Sequence, residues 1–188
     1  TENYADVRNS FLNEVLDRKL GIPITLSALY IELGERLGLA VRGVSFPGHF
    51  LVRFGSGDQV AVIDPFFGGI SLGQNDLVDR MRRFVPDETQ ARALLMQVLR
   101  GANKAEILAR MLRNLREIHS QAGDLGDALR CADQIVALTP HDVSALRDRG
   151  ELYYRLEVPH AARADFARYL EVAPNATDAD TVRTRLIE

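Results

Sequence analysis

Two residues in the first half of the chain can do chemistry together. His49 opens the alternating run Phe50 to Phe54, which reads as a strand. Asp64 closes Val60 to Ile63, a run of the buried-strand type. In an antiparallel hairpin the start of one strand lies beside the end of the next. A carboxylate next to an imidazole fixes its tautomer and raises its basicity, as in a nucleophile–base–orienter triad. The plainer reading is a structural histidine held by an aspartate. A general base also needs a nucleophile. A thiol belongs at a helix N-terminus, where the dipole lowers its pKa. The helix entering this region begins Gly21-Ile22-Pro23-Ile24-Thr25-Leu26-Ser27 and contains no cysteine. Thr25 and Ser27 carry hydroxyls, but Ser27 is about a turn in and is expected to pack. A threonine hydroxyl is a weak nucleophile without a base in hydrogen-bonding distance. The single cysteine, Cys131, lies between Ala128 and Ala132 and reads as a small core residue.

Three further groups are candidates. Phe46-Pro47-Gly48 before His49 and Phe66-Phe67-Gly68-Gly69 after Asp64 place aromatics and glycines at one end of the hairpin. They read either as an apolar rim for a ligand or peptide or as two tight turns covering the sheet edge. Gly68-Gly69 is not a phosphate loop, since no lysine follows. His49, His119, His141 and His160 have no close spacing, so no metal site is expected. Arg80, Arg82 and Arg83, with Arg110, Arg113 and Arg116, form basic clusters. These can meet an acidic partner. The simpler expectation is a solvated face paired with Asp79, Glu106 or Glu117.

The elements that must position these groups follow from pattern. Asn9 or Ser10 is expected to cap a helix running to about Lys19, which Gly21 breaks. Pro23 suits the first turn of the next helix, about Ile24 to Leu37, with Leu26, Leu29, Tyr30 and Leu33 on one face. Leu39 to Val44 is a strand before the hairpin, whose turn is Gly55-Ser56-Gly57. Asp76 to Phe84 reads as a helix, while residues 85–103 fit either a short helix plus strand or one irregular helix.

The second half repeats. Leu112, His119, Ala128, Ala132, Ile135 and Pro140 recur 34 residues later as Leu146, Tyr153, Ala162, Phe166, Tyr169 and Pro174. That period, with two helices per unit, is the tetratricopeptide signature. Ala128 and Ala162 permit close helix approach, and the prolines stop each second helix. Gly150 fills the small position of a first helix, where the preceding unit has Arg116. Thr177 to Ile187 reads as a capping helix with Ala179, Val182 and Leu186 on one face. Residues 104–123 form a long helix that is expected to link the halves rigidly. The groove between the halves is then the expected binding surface.

Composition narrows the function. The 188 residues are 46% apolar and 26% charged, with a net charge of −3. Each half is slightly acidic, which argues against a phosphate-tracking nucleic-acid surface. No apolar run approaches a membrane span, no secretory signal is present, and one cysteine excludes an internal disulfide. A cytoplasmic location is expected. The chain begins at Thr1 directly before a helical pattern, so an N-terminal segment is expected to be missing.

The ordered stretches "NSFLNEVLDRKLGIPITLSALY", "FPGHFLVRF", "IDPFFGG", "RMLRNLREIH" and "RDRGELYY" carry a resemblance. They resemble the bacterial SirB-type family, in which a transglutaminase-like, papain-like core precedes tetratricopeptide repeats. The resemblance implies an α+β core with a small antiparallel sheet over about 1–103. An all-α segment of two repeats plus a cap then covers 104–188. It implies that His49 and Asp64 match the triad histidine and aspartate. The catalytic cysteine of active members would fall at about Pro23, where "GIP" stands in place of Gly-x-Cys. Proline has neither thiol, hydroxyl nor N–H.

The expected function is therefore a non-catalytic protein-interaction or regulatory protein on a degenerate core. No cofactor is expected, and the partner is a protein or peptide. Pro23, Thr25, Phe46, Phe66 and Phe67 form the expected rim of the old cleft. Two other functions remain open. One is a hydrolase or acyltransferase that uses His49 and Asp64 with another nucleophile. The other is a small-ligand or peptide sensor at that cleft.

Overall fold

A computed structural model of the chain describes residues 6–56 and 59–187. Contacts divide it into two compact units, one ending at Ile107 and one beginning at Leu108.

The first unit begins with a 3-10 turn, Val7–Ser10, and helix α1, Leu12–Arg18. The expected cap at Asn9 or Ser10 is not there: both are buried, and Asp6 accepts from Arg8 N to cap the turn instead. Helix α2 spans Pro23–Arg36 with Pro23 at its first position, where the missing N–H costs nothing. Its buried face is Ile24, Ser27, Ile31 and Gly34, not the expected stripe. Tyr30 and Leu33 are exposed. Close approach decides this, since a Cβ on Gly34 would stand 2.4 Å from Val41 Cγ2. Gly34 therefore faces the sheet.

That sheet has four antiparallel strands in the order β1 Val41–Val44, β2 Leu51–Ser56, β3 Gln59–Asp64 and β4 Ile70–Leu72. Gly55 and Ser56 belong to β2. The remainder of the expected turn, at Gly57, lies outside the described residues. Sequence pattern missed β4, which has three residues and follows two glycines. Pairing Arg53 with Val62 and Val62 with Leu72 puts these three on one face. Period-two alternation adds Val44, Leu51 and Asp64 to that face. Helices α3, Gln74–Arg82, and α4, Glu88–Val98, cover it. Val44, Phe46, Leu51, Val62, Leu72, Leu77, Val78, Met81, Ala91 and Leu95 make one core there. The ambiguous stretch 85–103 thus resolves into α4 plus an isolated bridge from Ala102 to Gly43. Helix α2 lies on the opposite face, giving three layers.

Helix α5, Lys104–Ala122, crosses from the first unit to the second. In the second unit α6 Leu125–Leu138, α7 Val143–Arg155, α8 Pro159–Val172 and α9 Ala179–Ile187 follow. The 34-residue period is physical, not just textual. Arg113 bonds Asp142 at 2.6 Å, and Arg147, one period after Arg113, bonds Asp178, which lies two residues beyond the equivalent of Asp142, also at 2.6 Å. Within the second repeat Arg149 grips the buried Asp165 with two bonds of 2.7 Å. Cys131 is buried, and burial pushes its thiol pKa up, which suits a packing role.

Candidate functional site

The turn before His49 follows from its residues. Pro47 fixes φ for the first central position, and Gly48 takes φ +67° at the second. His49 N then donates to Phe46 O at 3.1 Å. This type II pattern delivers the imidazole to the start of β2. On β3, Asp64 closes the strand and begins a 3-10 turn, Pro65–Phe67. Gly68 and Gly69 follow with positive φ, and Gly69 N donates back to Asp64 O at 2.8 Å.

The two elements bring His49 Nε2 to 2.8 Å from Asp64 Oδ1. A third group was not anticipated as a partner. Arg80 Nη1 donates to Asp64 Oδ2 at 3.0 Å. The cause is topological: Asp64 faces α3, and Arg80 stands one turn beyond the core residue Leu77. Asp64 is wholly buried, while the Arg80 and His49 side chains are 27% and 17% exposed. The arginine supplies the positive charge that a buried carboxylate requires. The imidazole therefore meets an already neutralised carboxylate. The Nε2–Oδ1 contact orients the imidazole ring.

The start of α2 is closed. Pro23 is buried. Thr25 Oγ1 accepts from Ile22 N at 3.0 Å and lies 2.9 Å from Asn9 O and 3.1 Å from Ile22 O, its possible acceptors. Ser27 Oγ donates to Phe50 O at 3.3 Å. Both hydroxyls are spent on backbone groups, which the sequence could not reveal because the acceptors come from other segments. Thr25→Val is expected to leave the buried Ile22 N–H unpaired and cost about 1–3 kcal/mol, with Thr25→Ser recovering most of it. Urea unfolding midpoints of the two variants check this. An unchanged midpoint in Thr25→Val would remove the capping role.

Phe66 and Phe67 flank the imidazole, each with its centroid 6.0 Å from that of His49. They meet each other edge to face at 5.3 Å. Phe67 is exposed beside the imidazole. Phe46 is a correction. It is 2% exposed and belongs to the core under α3, because the turn at Pro47 directs it inward. Two aromatics missed by the pattern stand near the same turns. Phe84 would meet a Cβ on Gly48 at 3.2 Å, and Tyr30 Oη one on Gly69 at 3.5 Å.

The basic clusters also differ from expectation. Arg80 is a partner of Asp64, not part of a solvated face. Arg113 and Arg116 pair with Asp142 and Asp148 of the following repeat, not with Glu106 or Glu117. Their 3-residue spacing serves repeat-to-repeat pairing. Among the described residues no group of three His, Cys, Asp or Glu side chains could hold a metal ion. No helix among them is long and apolar enough to cross a membrane.

Comparison with known proteins places both units. The family model described as the transglutaminase-like superfamily matches residues 1–113, and one described as tetratricopeptide repeat matches 115–187. A UPF0162 protein of Xylella fastidiosa (strain 9a5c) is 43% identical over 187 residues, all of this chain and 66% of its own length. A UPF0162 protein of Vibrio cholerae is 32% identical over 98% of this chain and 67% of its own. Protein SirB1 of Salmonella typhimurium is 25% identical over 94% of this chain and 64% of its own. The chain thus spans about two thirds of the length of these relatives. No solved structure matches.

Proposed function

The chain belongs to the transglutaminase-like superfamily, in the bacterial SirB1/UPF0162 branch with a tetratricopeptide segment, and from that premise we propose that it works by binding rather than by catalysis. It is an interaction or regulatory protein of the cytoplasm, and its partner is a protein or peptide. Tetratricopeptide repeats generally mediate protein–protein interactions, which supports the class of partner. One observation carries the non-catalytic reading. At the helix start where a thiol enzyme presents its nucleophile stands Pro23, and the nearby hydroxyls of Thr25 and Ser27 bond backbone groups. The His49–Asp64–Arg80 group then orients an imidazole with no activated nucleophile assigned to it.

The test is turnover that depends on His49. Activated esters and a glutaminyl peptide with an amine acceptor are offered to the chain and to His49→Gln. The expected result is no difference between the two beyond the small background of a surface imidazole. A His49-dependent rate ten times that background would overturn the reading and favour the hydrolase or acyltransferase alternative. Capture from native lysate with the same two proteins then separates the remaining readings. A partner held by both binds away from the imidazole, and one lost from the variant binds at the old cleft.

A further inference from the structure

Helices α3 and α4 do not cover their face of the sheet completely. They close over the Asp64 end of β3 and leave an open cavity of about 620 Å³ at the hairpin end. Its floor is apolar, built from Val62, Leu72 and Leu95. Its walls carry three arginines, Arg53, Arg92 and Arg100, and none of its lining residues is acidic. That is a local excess of positive charge in a chain whose net charge is −3.

The three cations are compensated to different degrees. Arg92 pairs with Glu88 at 2.7 Å. Arg53 is half-buried, and its one side-chain hydrogen bond among the described residues runs from Nη1 to Leu99 O at 3.1 Å. Its Nε is buried with no acceptor among them. Strand register sets Arg42 directly opposite Arg53, and Arg42 brings it no counter-charge, being itself paired with Glu35 at 3.6 Å. Arg100 makes no ion pair among the described residues. Arg100 is exposed, but holding the half-buried Arg53 guanidinium partly out of water without a counter-ion is unfavourable. An anion in the cavity would remove that penalty, and a guanidinium suits a carboxylate because its parallel N–H groups match the two oxygens. The volume lies in the usual range for small-molecule sites.

We propose that this pocket binds a small amphipathic anion, an apolar chain that ends in a carboxylate. The chain lies on the floor of Val62, Leu72 and Leu95, and the carboxylate meets Arg53 and Arg100. The site uses the same face of the sheet as Asp64 but the opposite end of the strands, and it involves neither His49 nor the aromatic rim. It does not depend on the interaction reading above.

Decanoate, kept below its micelle concentration, is the probe, and calorimetric titration of the intact chain is the readout. Decanoate is expected to bind saturably, with decanol and acetate each at least tenfold weaker. The double variant Arg53→Gln/Arg100→Gln is expected to lose at least tenfold in affinity, while Arg130→Gln, an exposed side chain on α6, binds as the unaltered chain does. Circular dichroism establishes that the double variant is folded. If it is not, Arg100→Gln alone, at an exposed position, carries the test with a loss of at least threefold. Equal binding of decanoate and decanol would overturn the proposal. So would undiminished binding by the folded variant, or absence of saturable decanoate binding.

Discussion

Arg80→Met is expected to destabilise the first unit by about 3–5 kcal/mol, because it strands a wholly buried carboxylate. Methionine preserves most of the aliphatic volume, so the loss reads charge rather than packing. Among the described residues, the Asp64 carboxylate would keep only the His49 imidazole. Asp64→Asn should cost less, about 1–3 kcal/mol, since it leaves a neutral amide in the core and an Arg80 that already reaches solvent. Arg82→Met and Arg83→Met, on exposed neighbours of the same segment, should stay within about 0.5 kcal/mol. Urea midpoints at constant slope, together with amide exchange along β3, assign any loss to this unit. A cost below about 1 kcal/mol for Arg80→Met would mean that His49 or solvent alone satisfies Asp64. The arginine would then be incidental to the site.

This contrast marks where sequence pattern stops being informative. Arg80, Arg82 and Arg83 are one cluster in the sequence, and only the position of α3 over Asp64 separates them. The His49–Asp64 contact was legible because it needs only two strands and the alternation within them. The 34-residue period was legible because each repeat is a local unit whose side-chain sizes recur. The buried face of α2 was not. Leu26, Leu29, Tyr30 and Leu33 are the more apolar stripe, yet the helix turns Ile24, Ser27, Ile31 and Gly34 inward, and at Gly34 the approach of the Val41 side chain leaves no room for a Cβ. Phe46 was misplaced for a related reason. An aromatic beside a Pro-Gly turn reads as surface, but its strand neighbour Val44 already belongs to the core it enters. Partners across segments, such as Asn9 O for Thr25, have no signature in either segment alone.

Gly150→Val is expected to cost about 3 kcal/mol and to loosen the second repeat. A Cβ at this position would stand 2.7 Å from Phe166 Cε1, 2.8 Å from Cδ1 and 3.3 Å from Asp165 Cβ. Phe166 has no room to retreat, being 1% exposed among Ala162, Tyr169 and Val182. Alanine is the finer probe. Its helix propensity favours it over glycine by about 1 kcal/mol, against an overpacking cost of about 1–3 kcal/mol. Gly150→Ala should therefore be neutral to mildly destabilising, whereas an exposed helical glycine would gain stability from the same change. Phe166→Leu in the Gly150→Val background should recover at least 1 kcal/mol, although alone it leaves a gap and destabilises. Opposite signs in the two backgrounds would identify the contact itself. The same close approach keeps Arg149 of α7 on Asp165 of α8, a bidentate pair beside the buried ring. Arg147 on α7 in turn holds Asp178 ahead of α9. Forcing α7 away from α8 should release both pairs, so amide protection in α9 should fall together with the unfolding midpoint. A stabilised Gly150→Ala with α9 protection intact would show that the ring yields, and that close packing at Gly150 is not what holds the second repeat together.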